Sequence, residues 1–274
     1  MSKVYHCAVA GTLTLVACLC LPLCASATVI IVLQTKERVL MGADSRVISL
    51  RAGTEGQAAT TGKMCKIVQT PRTAVAIAGI LGNQSGFESA SFLQEHVAED
   101  LPLEQAADNL AKEMAAPLRL AILELEHAAP DQSLVQSGRP ALSMIMSRFE
   151  KGFMKTAVRE LVYLGSVSGS PQFRIDSQNC PGSCRGLNMV FAAGTTDAVT
   201  KFLLSHSGRS RLKDPAFALR LLRLEADAEP DTVGPPFSIL EGDRKGFRWL
   251  TQGACPNAEF AVSGMPPVHG GMKQ

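Results

Sequence analysis

Aromatic residues are scarce in this 274-residue chain, at 5% of the sequence, with one Trp and two Tyr. Proteins that bind single-stranded nucleic acid commonly stack bases on aromatic side chains, so this scarcity argues against that class. An excess of charge of one sign is also lacking, since 27 Lys and Arg stand against 25 Asp and Glu. The charge balance therefore gives no support for a nucleic-acid partner or for an anionic membrane surface.

Long apolar segments are lacking too, apart from one near the N-terminus. Residues 8–23 are mostly apolar and follow Lys3, but Pro22 interrupts the run. The run is shorter than the ~20 residues that usually span a bilayer, so we expect no stable membrane anchor. Ala25-Ser26-Ala27 has small residues at the two positions that a signal peptidase recognises before its cleavage site. The sequence therefore predicts a signal peptide over residues 1–27 and a periplasmic or secreted mature protein that begins at Thr28.

Cysteine and histidine are present without the clustering that a metal site needs. Removal of the leader would leave four cysteines, namely Cys65, Cys180, Cys184 and Cys255. An even number in an exported protein permits disulfides, and the loop Cys180-Pro-Gly-Ser-Cys184 could close on itself. The histidines are scattered along the mature chain, whereas zinc sites need clustered ligands. We therefore predict no metal and no cofactor.

The first part of the mature chain reads as two β-hairpins separated by a loop. Residues 28–34 and 39–44 are β-branched or apolar and predict one strand pair, while residues 63–68 and 74–79 predict the other. The polar, glycine-containing stretch 49–62 lies between the two pairs and reads as a loop.

Helices and further strands follow. Residues 85–99 and 103–127 have helical spacing, and Pro117 is expected to kink or split the second helix. After more strands, helices are predicted over 195–207 and 215–227, the latter capped by Asp214. Two apolar sheets that each need a cover predict an α+β fold, a four-layer α-β-β-α sandwich. We expect one domain over 28–263 and a disordered tail over 264–274.

Thr28 would be an unusual residue if it became the first of the mature chain. A free N-terminal threonine carries a hydroxyl and, on the same residue, an α-amino group whose ordinary pKa is about 7.7–8.0. That amine can act as the base that activates the hydroxyl as a nucleophile. Cleavage of the leader would then both export the protein and complete its catalytic group.

The motifs around Thr28 resemble those of the proteasome-type subunits of the N-terminal nucleophile hydrolases. The resemblance is carried by the segments Thr28-Val-Ile-Ile31, Val39-Leu-Met-Gly-Ala-Asp-Ser-Arg46, Lys63-Met-Cys-Lys-Ile67 and Ala76-Ile-Ala-Gly79. It implies the four-layer sandwich of that hydrolase type and a threonine-type endopeptidase activity without a cofactor. The implied substrate is a peptide or an unfolded protein, and the implied assembly is a homo-oligomeric ring.

The resemblance also assigns roles to individual residues. Thr28 would be the nucleophile, and Lys63 beside it would lower the proton affinity of the hydroxyl and the amine. Asp44 would pair with Lys63 and orient it, and the N–H of Gly79 would bind the oxyanion. The spacing from Lys63 to Gly79 is longer than the family's usual spacing, which makes Lys66 a rival for the catalytic lysine.

Two later residues complete the implied catalytic set. Thr195, in Gly194-Thr195-Thr196, takes the place of a serine in the family's Gly-Ser-Gly turn. Asp231 begins Asp231-Thr232-Val233-Gly234, a loose match to a family segment that ends in Ser-Gly.

Two other functions remain open from the sequence. An amidase or acylase that acts on small amides would use the same nucleophile, because a fold does not dictate its substrate. An inactive ring subunit would need no nucleophile, and the presence of Thr28, Asp44 and Lys63 argues against it.

Overall fold

The computed structural model describes residues 28–51, 58–83, 86–128, 135–184, 186–205 and 211–255. The predicted signal peptide over 1–27 and the predicted disordered tail over 264–274 lie outside the described residues. Twelve strands and four helices form within the described ranges. The strands are β1 (Val29–Gln34), β2 (Val39–Ala43), β3 (Arg46–Arg51), β4 (Ala58–Lys63), β5 (Ile67–Gln69), β6 (Thr73–Gly79), β7 (Pro140–Glu150), β8 (Phe153–Val167), β9 (Ser170–Cys180), β10 (Met189–Gly194), β11 (Ser238–Asp243) and β12 (Gly246–Thr251). The helices are α1 (Ser89–His96), α2 (Leu103–Ala128), α3 (Asp197–Ser205) and α4 (Pro215–Ala228).

The first five-stranded sheet is antiparallel and has the order β10-β1-β2-β11-β12. Every residue of β1 and β2 is buried, which explains why both strands are almost continuously apolar. Alternate side chains of β1 point to opposite faces of the sheet. Val29, Ile31 and Leu33 pack with residues of α3 and α4 on one face. The opposite face of this sheet packs toward the other large sheet.

The second five-stranded sheet is also antiparallel and has the order β5-β6-β7-β8-β9. Helix α2 packs one apolar side against this sheet, with Leu110, Met114 and Leu118 buried there. Between the two large sheets lies a separate apolar cluster that includes Ile30 of β1 and Ile145 of β7. The ends of β1 and β6 are therefore held close together by a packed core.

The prediction of a four-layer α-β-β-α sandwich is wrong. The structure is mostly β, and its strands form three antiparallel sheets rather than two. The third sheet is the pair β3–β4, whose register runs from Arg46 opposite Lys63 to Arg51 opposite Ala58. Of residues 49–62, which the sequence predicts as a loop, residues 49–51 and 58–62 lie in this pair, whereas residues 52–57 lie outside the described residues. The polar residues and glycine of this segment predicted a loop, but hydrogen bonds between the two main chains form a strand pair in spite of them.

One prediction about the helices is confirmed and another is not. Asp214 caps α4 as predicted, because its side chain accepts a hydrogen bond from the N–H of Ala216 at 2.9 Å, and Pro215 occupies the first turn. Pro117, in contrast, does not split α2, which continues from Leu103 to Ala128. The buried apolar face on either side of Pro117 holds the helix against the sheet. No helix in the described part of the chain is long and apolar enough to cross a membrane.

Candidate active site

The β1–β2 hairpin brings Thr28 next to Asp44. Thr28 directly precedes β1 and Asp44 directly follows β2, so the antiparallel pairing places both at one end of the sheet. The Val29 N–H donates to Asp44 Oδ1 at 2.9 Å, and the Asp44 N–H donates to the Val29 carbonyl at 3.2 Å. Both Thr28 and Asp44 are 1% exposed. The predicted neighbourhood of these two residues is therefore present in the structure.

The Asp44 carboxylate accepts four hydrogen bonds. Oδ1 accepts from the Val29 N–H and from Lys66 Nζ, which lies 2.8 Å away. Oδ2 accepts from the backbone N–H groups of Arg46 at 3.0 Å and of Gly234 at 3.4 Å. A buried carboxylate needs such donors because burial removes it from water. The four donors fix the carboxylate in position and favour its charged form.

Lys66, and not Lys63, is the lysine that pairs with Asp44. The side chains of Lys66 and Asp44 are both fully buried, and the Lys66 ammonium also donates to the carbonyl oxygen of Arg46. Lys63 is exposed at the end of β4, where it lies opposite Arg46 across the strand pair. The prediction that Asp44 pairs with Lys63 is therefore wrong. The rival lysine, Lys66, forms the ion pair with Asp44 instead.

The local chain path explains why residue 66 faces inward. Strand β4 ends at Lys63, and the Met64 N–H then donates to the Ser45 carbonyl at 2.8 Å. Strand β5 begins at Ile67, and the Lys66 carbonyl accepts from the Ile77 N–H at 3.0 Å. The chain thus crosses from the small sheet to the second large sheet over residues 64–66, and the Lys66 side chain reaches Asp44 after β2 and the Arg46 carbonyl.

Burial changes the proton affinity of both members of the pair. Loss of hydration lowers the pKa of Lys66 below its ordinary value, although the attraction of Asp44 opposes this change. Loss of hydration also raises the pKa of Asp44, while Lys66 and the donating N–H groups oppose it. The Lys66 ammonium consequently gives up its proton more readily than an exposed lysine does. Ionisable groups whose pKa is shifted by burial and by a charged partner are candidates for a functional site.

Gly194 and Thr195 hold the carbonyl group of Thr28. The Thr195 N–H donates to the Thr28 carbonyl oxygen at 2.7 Å. Gly194 has φ of +85°, and a Cβ at that position would lie 1.9 Å from the same oxygen. Only glycine permits so close an approach in this conformation. The predicted residue Thr195 therefore lies beside Thr28 and contacts it through the main chain.

Gly79 ends β6 close to this cluster. Its φ is +111°, and a Cβ there would lie 2.2 Å from the Ala141 carbonyl oxygen. The preceding residue, Ala78, has its Cβ within 3.4 Å of the position that a Gly194 Cβ would take. The end of β6 therefore lies along the Gly194 turn that contacts Thr28, and Gly79 is a position where any side chain would collide with the backbone.

Asp231, like Lys63, is a predicted site residue that the structure leaves outside the cluster. It is exposed, whereas Gly234 of the same segment donates its N–H to Asp44 and lies against the Arg46 guanidinium. Sequence reasoning thus selected the correct segment but the wrong residue. The contributions of the Arg46 carbonyl and the Gly234 N–H were missed because main-chain groups leave no signal in a side-chain motif.

The described residues contain no group of three or more His, Cys, Asp or Glu side chains that could hold a metal ion. Comparison with known proteins adds no assignment, since no protein-family model and no curated protein matches this sequence.

Proposed function

We propose that this protein is an exported threonine-type peptidase that cleaves peptide bonds through the hydroxyl of an N-terminal Thr28. The observation that carries the proposal is the buried Asp44–Lys66 pair, whose carboxylate binds both the lysine and the N–H next to Thr28. A surface-exposed ion pair would have little consequence, but a buried one is costly unless its geometry is well satisfied. Buried ionisable groups with shifted pKa values cluster at functional sites, and this pair lies beside Thr28, which supports the proposal.

The proposed mechanism has two covalent steps. The Thr28 oxygen attacks the carbonyl carbon of the substrate while the Thr28 α-amine accepts the hydroxyl proton. The tetrahedral intermediate then collapses: the C–N bond breaks, the leaving amine takes the proton from the Thr28 α-ammonium group, and the acyl–Thr28 ester forms. Water then attacks this ester and loses a proton to the Thr28 α-amine, and the acid is released as that proton passes to the Thr28 oxygen. Lys66, held by Asp44, stabilises negative charge near the Thr28 oxygen in both steps.

Gly79 would supply the oxyanion-binding N–H, as the resemblance implies. A residue without a Cβ lets the substrate carbonyl approach the main chain. The position of Gly79 beside the Gly194 turn supports this role, because that turn contacts Thr28 directly. Peptides and unfolded proteins are the proposed substrates, a homo-oligomeric ring is the proposed assembly, and the periplasm or the extracellular space is the proposed location.

Substitution of Thr28 tests the proposed function. Each variant is produced behind a cleavable fusion that exposes residue 28, and hydrolysis of a panel of fluorogenic peptides is measured. Thr28→Val removes the hydroxyl at nearly constant shape and should lower kcat by about 10³-fold or more. Thr28→Ser keeps the hydroxyl and should retain most of the activity. Thr35→Val is the matched control, because Thr35 is a buried threonine at the opposite end of the same hairpin.

Two results would contradict the proposal. Full activity of Thr28→Val would show that residue 28 is not the nucleophile. Wild-type protein that hydrolyses no peptide of the panel but cleaves simple acyl amides, with that cleavage lost in Thr28→Val, would be an amidase that uses the same nucleophile.

A further inference from the structure

A disulfide lies directly beside the lysine of the proposed site. Cys65 precedes Lys66 in the chain, and it is bonded to Cys255, with a sequence separation of 190 residues. The two Cα atoms are 4.5 Å apart. The backbone that carries Lys66 is therefore attached covalently to the segment that follows β12.

The Cys255 end of this disulfide is bonded to β11, which pairs with β2, the strand that leads to Asp44. The Cys255 N–H donates to the Gln252 carbonyl at 2.8 Å, and the Ser238 hydroxyl donates to the same carbonyl at 2.6 Å. Ser238 is the first residue of β11, where it lies opposite Ala43, the neighbour of Asp44. A chain of bonds thus connects the residue before Lys66 to the residue before Asp44.

The segment that carries Lys66 is held by main-chain hydrogen bonds at Met64 and at the Lys66 carbonyl, and the disulfide holds Cys65 between them. Residues 64–66 lie between β4 and β5 and belong to neither strand. A buried ion pair keeps its charges only where its partners are held in good geometry, because each charge has lost its hydration. The disulfide restrains the segment from one side, and the Lys66 ammonium binds Asp44 on the other.

We propose that the Cys65–Cys255 disulfide is a positioning element that holds the Lys66 ammonium on Asp44. Its catalytic consequence rests on the proposed function, whereas its effect on the location of Lys66 rests on the contacts alone. The second disulfide, Cys180–Cys184, closes a short loop at the end of the edge strand β9 and provides a matched control.

The location of Lys66 can be measured without any assay of activity. Mature wild type, Cys65→Ser/Cys255→Ser and Cys180→Ser/Cys184→Ser are exposed to acetic anhydride at a temperature where circular dichroism shows all three folded. Peptide mass mapping then gives the acetylation rate of Lys66 relative to that of exposed Lys63. We expect this ratio to rise about tenfold in the Cys65→Ser/Cys255→Ser protein, because local opening exposes the amine. It should stay unchanged in the Cys180→Ser/Cys184→Ser protein.

Steady-state kinetics on the same three proteins test the catalytic consequence. In the Cys65→Ser/Cys255→Ser protein kcat should fall about tenfold with little change in KM, since an interaction used in the chemical step is weakened. The same acetylation ratio as wild type, or the same kcat as an active wild type, would overturn the proposal. If none of the three proteins cleaves a peptide, the proposed function is wrong. The acetylation ratio then still tests whether the disulfide holds Lys66 on Asp44. If the Cys65→Ser/Cys255→Ser protein does not fold, the Cys65→Ala/Cys255→Ala protein is used in its place, because alanine has no hydroxyl group to bury.

Discussion

Burying Asp44 and Lys66 together removes two charges from water, a cost that their mutual attraction and their hydrogen bonds must offset. Asp44 meets this need with four donors, three of them backbone N–H groups from different parts of the chain. The residue before β1, the residue after β2 and the segment before β5 are thereby fixed relative to one another. At the scale of residues, the pair is thus the point where the proposed site is assembled.

Removal of one partner of the pair should be far more harmful than removal of the exposed lysine nearby. Lys66→Met leaves the Asp44 carboxylate buried without its counter-charge and should destabilise the protein by about 3–5 kcal/mol. Lys63→Met should change the free energy of unfolding very little, because Lys63 is exposed. Urea unfolding of both variants measures the difference.

The double variant Asp44→Asn/Lys66→Met separates the cost of an unpaired charge from the loss of packing. It should recover much of the stability that Lys66→Met loses, since no buried charge remains. Equal stability of Lys66→Met and Lys63→Met would contradict the buried pair.

Substitution of Gly194 should destabilise the protein more than its backbone conformation alone would explain, because Gly194 lies against the Thr28 carbonyl. Gly194→Ala combines the strain of a positive φ with a collision between the new Cβ and the Thr28 carbonyl. Gly152→Ala is the matched control, because Gly152 has φ of +87° and open space around a Cβ. We expect the control to cost about 1–2 kcal/mol and Gly194→Ala to cost more in urea unfolding. A smaller loss for Gly194→Ala than for Gly152→Ala would mean that the contact with Thr28 is not tight.

At the scale of elements, the register of β8 and β9 brings two carboxylates together. Glu160 lies opposite Asp176, and the Ser143 hydroxyl of β7 lies on its other side, with a hydrogen bond of 3.5 Å to the Glu160 carboxylate. Burial, and after it the nearby Asp176 charge, raise the pKa of Glu160 above its ordinary value of 4.5. Like charges that face each other across strands are unfavourable, so the ionised form of Glu160 weakens this sheet.

Glu160→Gln should therefore stabilise the protein at neutral pH but not in acid. The folded state binds the Glu160 proton more tightly than the unfolded chain does, so this contribution to stability is complete below pH 4.5 and is lost as the pH rises through the folded pKa. The difference in free energy of unfolding between Glu160→Gln and wild type should grow from pH 4.5 towards pH 7. Glu113→Gln, on the exposed side of α2, is the control. A difference that shrinks with rising pH would contradict the raised pKa.

The elements also show what the sequence could and could not reveal. The first hairpin was predictable because β1 and β2 are buried on both faces and are almost continuously apolar. The pair β3–β4 was missed because its sequence does not alternate between apolar and polar residues. Hydrogen bonds between main-chain groups do not depend on the side chains, so composition does not indicate them. The choice of Lys66 over Lys63 depended on where the chain leaves β4, which the spacing of lysines alone cannot fix.

At the scale of the whole molecule, three apolar clusters hold the site at the junction of the sheets. One cluster packs β1 and β2 against α3 and α4, another packs the second sheet against α1 and α2, and the third lies between the two large sheets. Thr28 directly precedes a strand of the first large sheet, and Lys66 directly precedes a strand of the second. The Cys65–Cys255 disulfide joins these two parts of the molecule across 190 residues.

The two disulfides should differ in their contribution to global stability. In the chain-entropy model, a cross-link over 190 residues restricts the unfolded chain more than one over four residues. We expect Cys65→Ser/Cys255→Ser to lower the free energy of unfolding by about 3–5 kcal/mol and Cys180→Ser/Cys184→Ser by about 2 kcal/mol or less. Urea unfolding under non-reducing conditions measures both values, and a larger loss for the short loop would contradict the expected order.

The most direct test of the account is to trap the acyl group on the mature protein. The protein recovered from the exported fraction of its host is incubated with a peptide β-lactone, an electrophile that acylates hydroxyl nucleophiles, and is then mapped by mass spectrometry. We predict an N-terminal peptide that begins at Thr28 and carries the added mass on the Thr28 side chain. A mature chain that begins at another residue, or an adduct that forms elsewhere while Thr28 stays unmodified, would contradict the proposal that Thr28 is the nucleophile.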